Sequence, residues 1–242
     1  MPKAGIIATL LIAGACLVSG VGRAELVDVQ FSGTFNLGGT SPFAPQQSGA
    51  AIIGSAGDQW NYFAAAAQGS TALNDTTGAA SGLSLSFTSN RAYTASPGYD
   101  AFNGTPTANL MLGYLVEDIS LDISGFAPNQ NYSLYVYTQG DDNSNGRLIS
   151  LSATGAGTQN SKQTNASTYI VDNNYLLFQG QADSTGQVLI KQLGSVGEGD
   201  LNGFQLLTTA SAPAPTPGAG LAGLAFLILA GLTTKARGFL AC

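Results

Sequence analysis

The sequence of 242 residues is long enough for one ordinary domain with appendages, and its composition excludes several classes of function. Only 9% of the residues are charged, and histidine is absent. Without histidine the chain cannot build a Ser-His-Asp or Cys-His catalytic centre, a typical zinc site or a histidine-based pH switch. The formal net charge of −6 has the wrong sign for a protein that follows a nucleic-acid backbone.

Residues 1–24 have the features of a secretory signal peptide. Lys3 supplies the positive charge, residues 4–18 are apolar and uncharged, and Ala24 ends a small-residue cleavage site before Glu25. The apolar run is shorter than the roughly 20 residues that span a bilayer. Cys16 leaves a lipoprotein signal as an alternative. We therefore expect an exported protein with an N-terminal signal-peptide helix.

Residues 25–210 show the two-residue alternation of apolar and polar side chains that is typical of β-strands. The alternating segments are 27–31, 83–87, 119–123, 132–137, 149–151, 175–178, 188–190 and 204–206. Turn-forming sequences separate them, and helical turns are expected only at 64–67 and 107–115. The pattern predicts an all-β domain with an antiparallel β-sandwich or jelly-roll fold. This domain lacks cysteine, and its four bases against 14 acids give a formal charge of −10.

The C-terminal part combines a proline-rich linker, an apolar stretch and a basic end. The linker at 211–217 contains Pro215-Thr216-Pro217 and cannot form a helix. The C-terminal segment is 218–242. Its first part, 218–232, is apolar and uncharged, and it is short for a permanent membrane span. Lys235 and Arg237 follow, and positive charges favour retention on the cytoplasmic side. These features predict a C-terminal hydrophobic helix that serves as a sorting signal or, alternatively, as a simple anchor.

This arrangement resembles the PEP-CTERM class of bacterial sorting signals, with Pro215-Thr216-Pro217 in place of the Pro-Glu-Pro triplet. The resemblance implies an exosortase-like transpeptidase as partner, transient anchoring in the inner membrane, and transfer to the cell surface or extracellular matrix. The domain is also similar to the galactose-binding-like β-sandwich domains of such exported proteins. The segments that carry this likeness are 53–61, 125–137 and 200–206. The second resemblance implies fold and location but no activity.

The segment from Asp141 to Gly146 matches the first half of a calcium-binding loop. Asp141, Asn143 and Asn145 place oxygen atoms at alternate positions, as calcium requires. The twelfth position is Ser152, where a bidentate Glu is usual, and Asn-Gly is also a common hairpin turn. Calcium binding and a solvated hairpin are therefore both open, and no other cofactor is expected.

Aromatic residues beside polar ones are candidates for carbohydrate binding, because sugar rings stack on aromatic faces and amides or carboxylates bind sugar hydroxyls. Trp60 and Tyr62 follow Asp58 in the sequence. Tyr93, Tyr99 and Asp100 lie in a second such segment, 93–102. Burial in the hydrophobic core is the alternative for Trp60, because a buried Trp contributes a large apolar area.

We expect a non-catalytic surface or matrix protein that binds exopolysaccharide and is processed through its C-terminal signal. An enzyme that acts on polysaccharide through paired carboxylates is one alternative. The acids available for such a pair are Asp58, Asp100, Glu117, Asp118 and Asp122. A calcium-stabilised adhesin or structural subunit is the other alternative. The acidic charge disfavours nucleic acid as a partner.

Overall fold

The computed structural model describes residues 24–33, 35–36, 43–64, 67–140, 147–162 and 165–209. The expected signal helix, the predicted calcium loop, the proline-rich linker and the C-terminal sorting segment lie outside the described residues. Within those ranges, no helix has the length and apolar character that a membrane crossing requires.

Strands make up nearly all the regular structure of the described residues. They are β1 (Glu25–Phe31), β2 (Phe35–Asn36), β3 (Trp60–Phe63), β4 (Gln68–Asn74), β5 (Ala80–Thr88), β6 (Arg91–Thr94), β7 (Gly113–Val116), β8 (Ser120–Ser124), β9 (Asn131–Tyr137), β10 (Arg147–Ala153), β11 (Gly157–Asn160), β12 (Tyr175–Gln181), β13 (Gln187–Gly197), β14 (Asp200–Leu201) and β15 (Gly203–Thr208). A 3₁₀ helix at Pro97–Tyr99 and helix α1 at Ala108–Leu112 complete the elements. Each alternating segment lies within a strand, except that Ile119 directly precedes β8, and this agreement confirms the all-β class.

The strands form three sheets. The strand orders are β12-β9-β15-β1-β3, β11-β10-β13-β8-β5-β4 and β14-β7-β6-β2. Two neighbouring pairs, β1 with β3 and β2 with β6, are parallel, whereas the other pairs are antiparallel. In the five-stranded sheet Glu25 is opposite Thr208, so the first and last strands are neighbours.

One hydrophobic cluster joins the five-stranded and six-stranded sheets. Val27 and Val29 of β1 share it with Leu121 of β8, and all three side chains are fully buried. The Phe31 ring of β1 lies 4.9 Å from the Phe87 ring of β5 between centroids. Burying one such side chain contributes about 1.5–3 kcal/mol. The apolar positions of the sequence alternation therefore form the core face of each sheet.

A second layer covers the other face of the five-stranded sheet. It contains segment 43–58, the residues around α1, and segment 165–174. Its hydrophobic cluster consists of Trp60, Phe102, Leu110, Met111 and Tyr137, with Tyr169 packed against it. The Tyr169 ring lies 5.0 Å from Phe102 and 5.1 Å from Tyr137 between centroids. Polar side chains on this face of the sheet are consequently buried rather than exposed to solvent.

Candidate functional site

A cleft of about 410 Å³ opens at the start of β3. Its lining consists of Gln46, Gln47, Ser48, Ala56, Gly57, Asp58, Gln59 and Trp60. Three amides, a hydroxyl and a carboxylate thus surround one indole. The volume falls within the range of about 300–1,000 Å³ that is typical of small-molecule sites.

Hydrogen bonds hold the wall of the cleft that residues 46–48 form. Gln46 Nε2 donates to the Trp60 carbonyl oxygen at 2.7 Å. Gln47 Nε2 donates to the Pro106 carbonyl oxygen at 3.1 Å, and Gln47 Oε1 accepts from the Leu110 backbone N–H at 3.3 Å. This wall is therefore attached to β3 on one side and to α1 on the other.

The opposite wall belongs to residues 49–58, which we call the 49–58 loop. Its ends are joined by a hydrogen bond from the Gly49 N–H to the Asp58 carbonyl oxygen at 2.9 Å. Asp58 Oδ2 accepts from the Ser55 N–H at 2.7 Å, and Trp60 Nε1 donates to the Gly49 carbonyl oxygen at 2.9 Å. Asp58 is 8% exposed and Trp60 is 4% exposed. The indole is thereby bonded directly to the loop that forms the cleft wall.

Gln205 on β15 attaches this loop to the sheet. Its Oε1 accepts from the N–H groups of Ile52 at 3.0 Å and Ile53 at 3.1 Å, and from the Tyr137 hydroxyl at 2.6 Å. Its Nε2 donates to the Ile53 carbonyl oxygen at 2.9 Å and to Asp28 Oδ1 at 3.0 Å. Both donors and the acceptor oxygen of this buried amide are therefore used.

Asp28 is the titratable group beneath the loop. It is 0% exposed, and its Oδ2 has no hydrogen-bond partner among the described residues. Burial raises the pKa of Asp28 to about 7, although the hydrogen bond from Gln205 lowers the pKa and the charge of Asp58 raises it further. Burial therefore keeps this carboxyl group protonated at a higher pH than an ordinary Asp side chain.

Two of the predicted carbohydrate-binding residues lie on β3. Trp60 lines the cleft but is nearly buried, so it belongs to the second-layer core as well as to the cleft. Tyr62 is half-buried, and its hydroxyl donates to the Ala44 carbonyl oxygen. The lining of the cleft does not include Tyr62.

The other three predicted residues lie away from the cleft lining. The Tyr93 ring is buried in another cluster and stacks on Tyr114 with 6.0 Å between centroids. Tyr99 is 47% exposed at the end of the 3₁₀ helix. Asp100 is buried, and its Oδ1 accepts from the Phe102 N–H at 2.8 Å. The structure therefore does not bring the five predicted residues together in one site.

The acids considered for a catalytic pair occupy different elements. Asp58 lies in the 49–58 loop, and Asp100 follows the 3₁₀ helix. Glu117 and Asp118 have left-handed φ values of 56° and 48° in the turn between β7 and β8, and Asp122 lies on β8. Of these acids, Asp58 alone lines the cleft.

The predicted calcium ligands Asp141, Asn143 and Asn145 lie outside the described residues. Within the described part of the chain, no group of three or more His, Cys, Asp or Glu side chains is placed to hold a metal ion. Gly140, which precedes the loop, lies against Asp200, since a Cβ at Gly140 would be 1.8 Å from Asp200 Oδ2. Calcium binding by the loop stays a prediction.

Sequence patterns indicate Trp60 and Asp58 as site residues. They do not indicate the other residues that line the cleft or the buried residues that hold its loop. Asp28 and Gln205 occupy polar positions of alternating strands, where exposure to solvent is the ordinary expectation. The glutamines at 46 and 47 precede β3 in a segment without periodicity. Their adjacency in the sequence is the one signal that could have pointed to an amide-rich wall.

No protein-family model, no curated protein and no solved structure matches this chain. The described geometry therefore supplies the evidence on function. That geometry consists of an amide-lined cleft, a nearly buried indole and a buried acid beneath the adjoining loop.

Proposed function

We propose that this chain is an exported, non-catalytic protein of the cell surface or extracellular matrix, and that its domain binds exopolysaccharide. The observation that carries the proposal is the cleft in which Gln46, Gln47, Ser48 and Gln59 accompany Trp60. Amide and hydroxyl groups can donate to and accept from sugar hydroxyls. The indole supplies an apolar surface for a ring face.

The charge of the cleft favours a neutral saccharide. Asp58 is the one ionisable side chain of the lining, and the domain at 25–210 carries a formal charge of −10. A polymer rich in carboxylate or sulfate groups would be repelled by this field, which extends about 8–10 Å at physiological salt. We therefore infer that the ligand is a neutral stretch of polysaccharide.

The strand order supports a jelly-roll sandwich. The five-stranded sheet contains β1-β15-β9-β12, and the six-stranded sheet contains β8-β13-β10-β11. Connections such as β8 to β9 and β9 to β10 pass from one sheet to the other, as in two Greek keys wound into a jelly roll. In this interpretation β3 extends one sheet, and β5 and β4 extend the other. The resemblance to galactose-binding-like domains leads to the same fold.

Export and C-terminal processing form part of the proposal. The signal peptide 1–24 precedes β1, and the linker 211–217 follows β15. The Glu25 N–H donates to Thr208 Oγ1 at 3.2 Å, so the first and last strands lie side by side. Removal of the signal peptide and cleavage near Pro215–Pro217 would leave both strands complete. We propose an exosortase-like transpeptidase as the processing partner and the inner membrane as a transient anchor.

A pull-down of the full chain with neutral and anionic polysaccharides tests the binding proposal. Gln59→Ala removes an exposed amide of the cleft, whereas Gln187→Ala removes an exposed amide at the start of β13. We expect neutral polymers to bind and Gln59→Ala to weaken binding about two- to tenfold, as loss of one hydrogen bond implies. Gln187→Ala should bind like the wild type. Equal binding by both variants, or no binding to any polymer, would contradict the proposal.

One observation favours the enzymatic alternative. Asp58 lines the cleft, and a second acid, Asp28, has a pKa raised mainly by burial and further by the charge of Asp58. Glycosidases use two carboxyl groups with separated pKa values, but both must reach the substrate. Asp28 has no exposed surface, which supports binding over hydrolysis. An increase in reducing ends on incubation with a bound polymer, abolished by Asp58→Asn, would support the enzyme instead.

A further inference from the structure

We propose that Asp28 and Gln205 form a proton-operated latch, which fixes the 49–58 loop to the five-stranded sheet and thereby sets the shape of the cleft. The biological use of such a latch, control of saccharide binding by pH, rests on the proposed function. The latch itself is a property of the protein without ligand, and it can be tested without one.

Gln205 makes most of the hydrogen bonds that attach the loop at Ile52 and Ile53, and the Tyr137 hydroxyl accepts one further hydrogen bond from the Ile52 N–H at 3.3 Å. Gln205 bonds both N–H groups and the Ile53 carbonyl oxygen, at distances from 2.9 to 3.1 Å. The remaining amide hydrogen of Gln205 goes to Asp28 Oδ1 at 3.0 Å. Hydrogen bonds to Asp28 and from Tyr137 thus fix the orientation of the Gln205 amide. The oriented amide in turn fixes the position of the 49–58 loop.

The titratable groups that face Asp28 come from two elements. Asp58 belongs to the 49–58 loop, and its negative charge opposes ionisation of Asp28. Tyr137 belongs to β9, and burial holds the pKa of its hydroxyl well above the ordinary value, so it stays neutral near pH 7. The other neighbours, Gln205 on β15 and Trp60 on β3, are uncharged.

Ionisation of Asp28 works against the closed loop for two reasons. Asp28 Oδ2 has no donor among the described residues, and a buried anionic oxygen without a donor is strongly unfavourable. Water can reach this oxygen when the loop that covers it moves away from the sheet. The repulsion between Asp28 and Asp58 acts in the same direction, because Asp58 is part of that loop. Deprotonation should therefore lift the loop and displace the cleft wall at residues 56–58.

Trp60 provides a direct measurement, because it is the one tryptophan of the chain and its Nε1 donates to the Gly49 carbonyl oxygen in the loop. We expect the tryptophan emission of the full chain to shift between pH 5 and 9 with a midpoint near the pKa of Asp28, about 7. Asp28→Asn keeps the shape and an acceptor oxygen for Gln205 but cannot ionise, so its emission should not change. Asp122→Asn, on β8 of the other sheet, is the matched control and should titrate like the wild type.

Hydrogen exchange gives a second measurement. It uses the wild type only, so it does not depend on whether a variant folds. Protection of the amides at 49–58 should fall about tenfold between pH 6 and pH 8 after correction for intrinsic exchange. The turn at 183–187 serves as the internal reference and should keep its protection.

Unchanged protection at 49–58, a wild-type emission without a transition, or an Asp28→Asn variant that titrates normally would each overturn the latch. If the latch fails one of these tests but the protein still binds saccharide, the proposed function stands. If the latch passes these tests but the protein binds no saccharide, only the proposed function is contradicted.

Discussion

Asp28 links the stability of the protein to pH, because its proton is held more tightly in the folded chain than in the unfolded one. The ordinary pKa is 3.8, whereas burial raises the folded value to about 7. Acid therefore favours the folded state, and this stabilisation is lost as the pH rises through 7. This difference between the unfolded and folded pKa corresponds to at most about 4 kcal/mol of stability. We expect the free energy of unfolding in urea to decrease between pH 4 and pH 7 and then to level off.

Asp28→Asn is the variant that isolates this effect. Its free energy of unfolding should be nearly independent of pH between 5 and 8, and at pH 8 it should exceed that of the wild type. The slope against pH is the diagnostic quantity, because a packing defect would lower stability equally at every pH. A wild-type and variant pair with the same slope would contradict the assignment of the raised pKa to Asp28.

Asp183 has the opposite effect on stability, and its effect falls at acid pH. The Thr185 hydroxyl and the backbone N–H groups of Gln187 and Thr185 hold the pKa of this exposed carboxyl below its usual value. Its contribution to stability is therefore present above the ordinary Asp pKa and is lost as the pH falls. Together, Asp28 and Asp183 place the most stable pH near the ordinary Asp pKa, because Asp28 lowers stability as the pH rises above it and Asp183 lowers stability as the pH falls below it.

The alternation of single residues predicted which side of each strand faces the core, but not what covers the other side. Val27 and Val29 point into the core as expected, and Asp28 between them points away from it. The polar side is nevertheless buried, because Ile52 bonds Gln205 from 153 positions away in the sequence. A local pattern carries no information about such a long-range contact, so neither the second layer nor the cleft could be predicted from it.

At the scale of elements, two hairpin turns share the sequence Asp-x-Thr-Gly. In the turn from Asp75 to Gly78, between β4 and β5, Asp75 Oδ1 accepts from the Thr77 N–H at 2.9 Å and hydroxyl at 2.6 Å. In the turn from Asp183, between β12 and β13, Asp183 Oδ1 accepts from the Thr185 N–H at 2.8 Å and hydroxyl at 2.7 Å. The same local sequence therefore builds the same turn twice, each time ending in a left-handed glycine.

Alanine substitution should distinguish the two turn glycines. Gly186 has φ +78°, and a Cβ there would lie 2.1 Å from the Phe126 carbonyl oxygen. At Gly78, with φ +86°, the nearest atom at 2.7 Å is Oε1 of the Gln59 side chain, which can move. Both substitutions should cost about 1 kcal/mol for the backbone, and Gly186→Ala should cost more because a backbone atom must shift. Thermal or urea unfolding measures the difference.

Gly194→Ala on β13 is the control for these substitutions. Apart from its chain neighbours, no residue has an atom within 4 Å of a Cβ added at Gly194, and its φ is not left-handed, so the variant should be as stable as the wild type. Equal losses for Gly78→Ala and Gly186→Ala would show that the close approach to Phe126 has no energetic effect.

Two of the strands that the sequence did not predict, β4 and β7, were missed for identifiable physical reasons. All four residues of β7 (Gly113–Val116) are buried, so the strand reads as a continuous apolar run without alternation. In β4 (Gln68–Asn74), an edge strand, only Leu73 is buried, and too few apolar positions remain for a pattern. Alternation identifies strands that have one buried and one exposed face. Strand β7 is buried on both faces, and β4 is mostly exposed, so neither shows alternation.

At the scale of the whole molecule, the first and last described strands, β1 and β15, are neighbours in one sheet. Glu25 is opposite Thr208, and the Thr209 N–H donates to the Asn131 carbonyl oxygen at 3.1 Å. The hydrogen-bonded fold of the described residues thus begins directly after the predicted signal cleavage site and ends before the proline-rich linker. The sequence predicts both boundaries through local composition, whereas the pairing of β1 with β15 depends on the complete topology.

Mass spectrometry of the protein recovered from the cell surface should therefore give an N-terminus at Glu25 and a C-terminus close to Pro217. The processed form should unfold at the same temperature as the full chain, because neither cut removes a residue of β1 or β15. A variant with Pro215→Ala and Pro217→Ala should keep its C-terminal segment and remain in the membrane fraction. Intact Cys242 in the surface fraction of the wild type would contradict processing. It would instead support the simple anchor, since an uncut chain holds the same folded domain at the membrane.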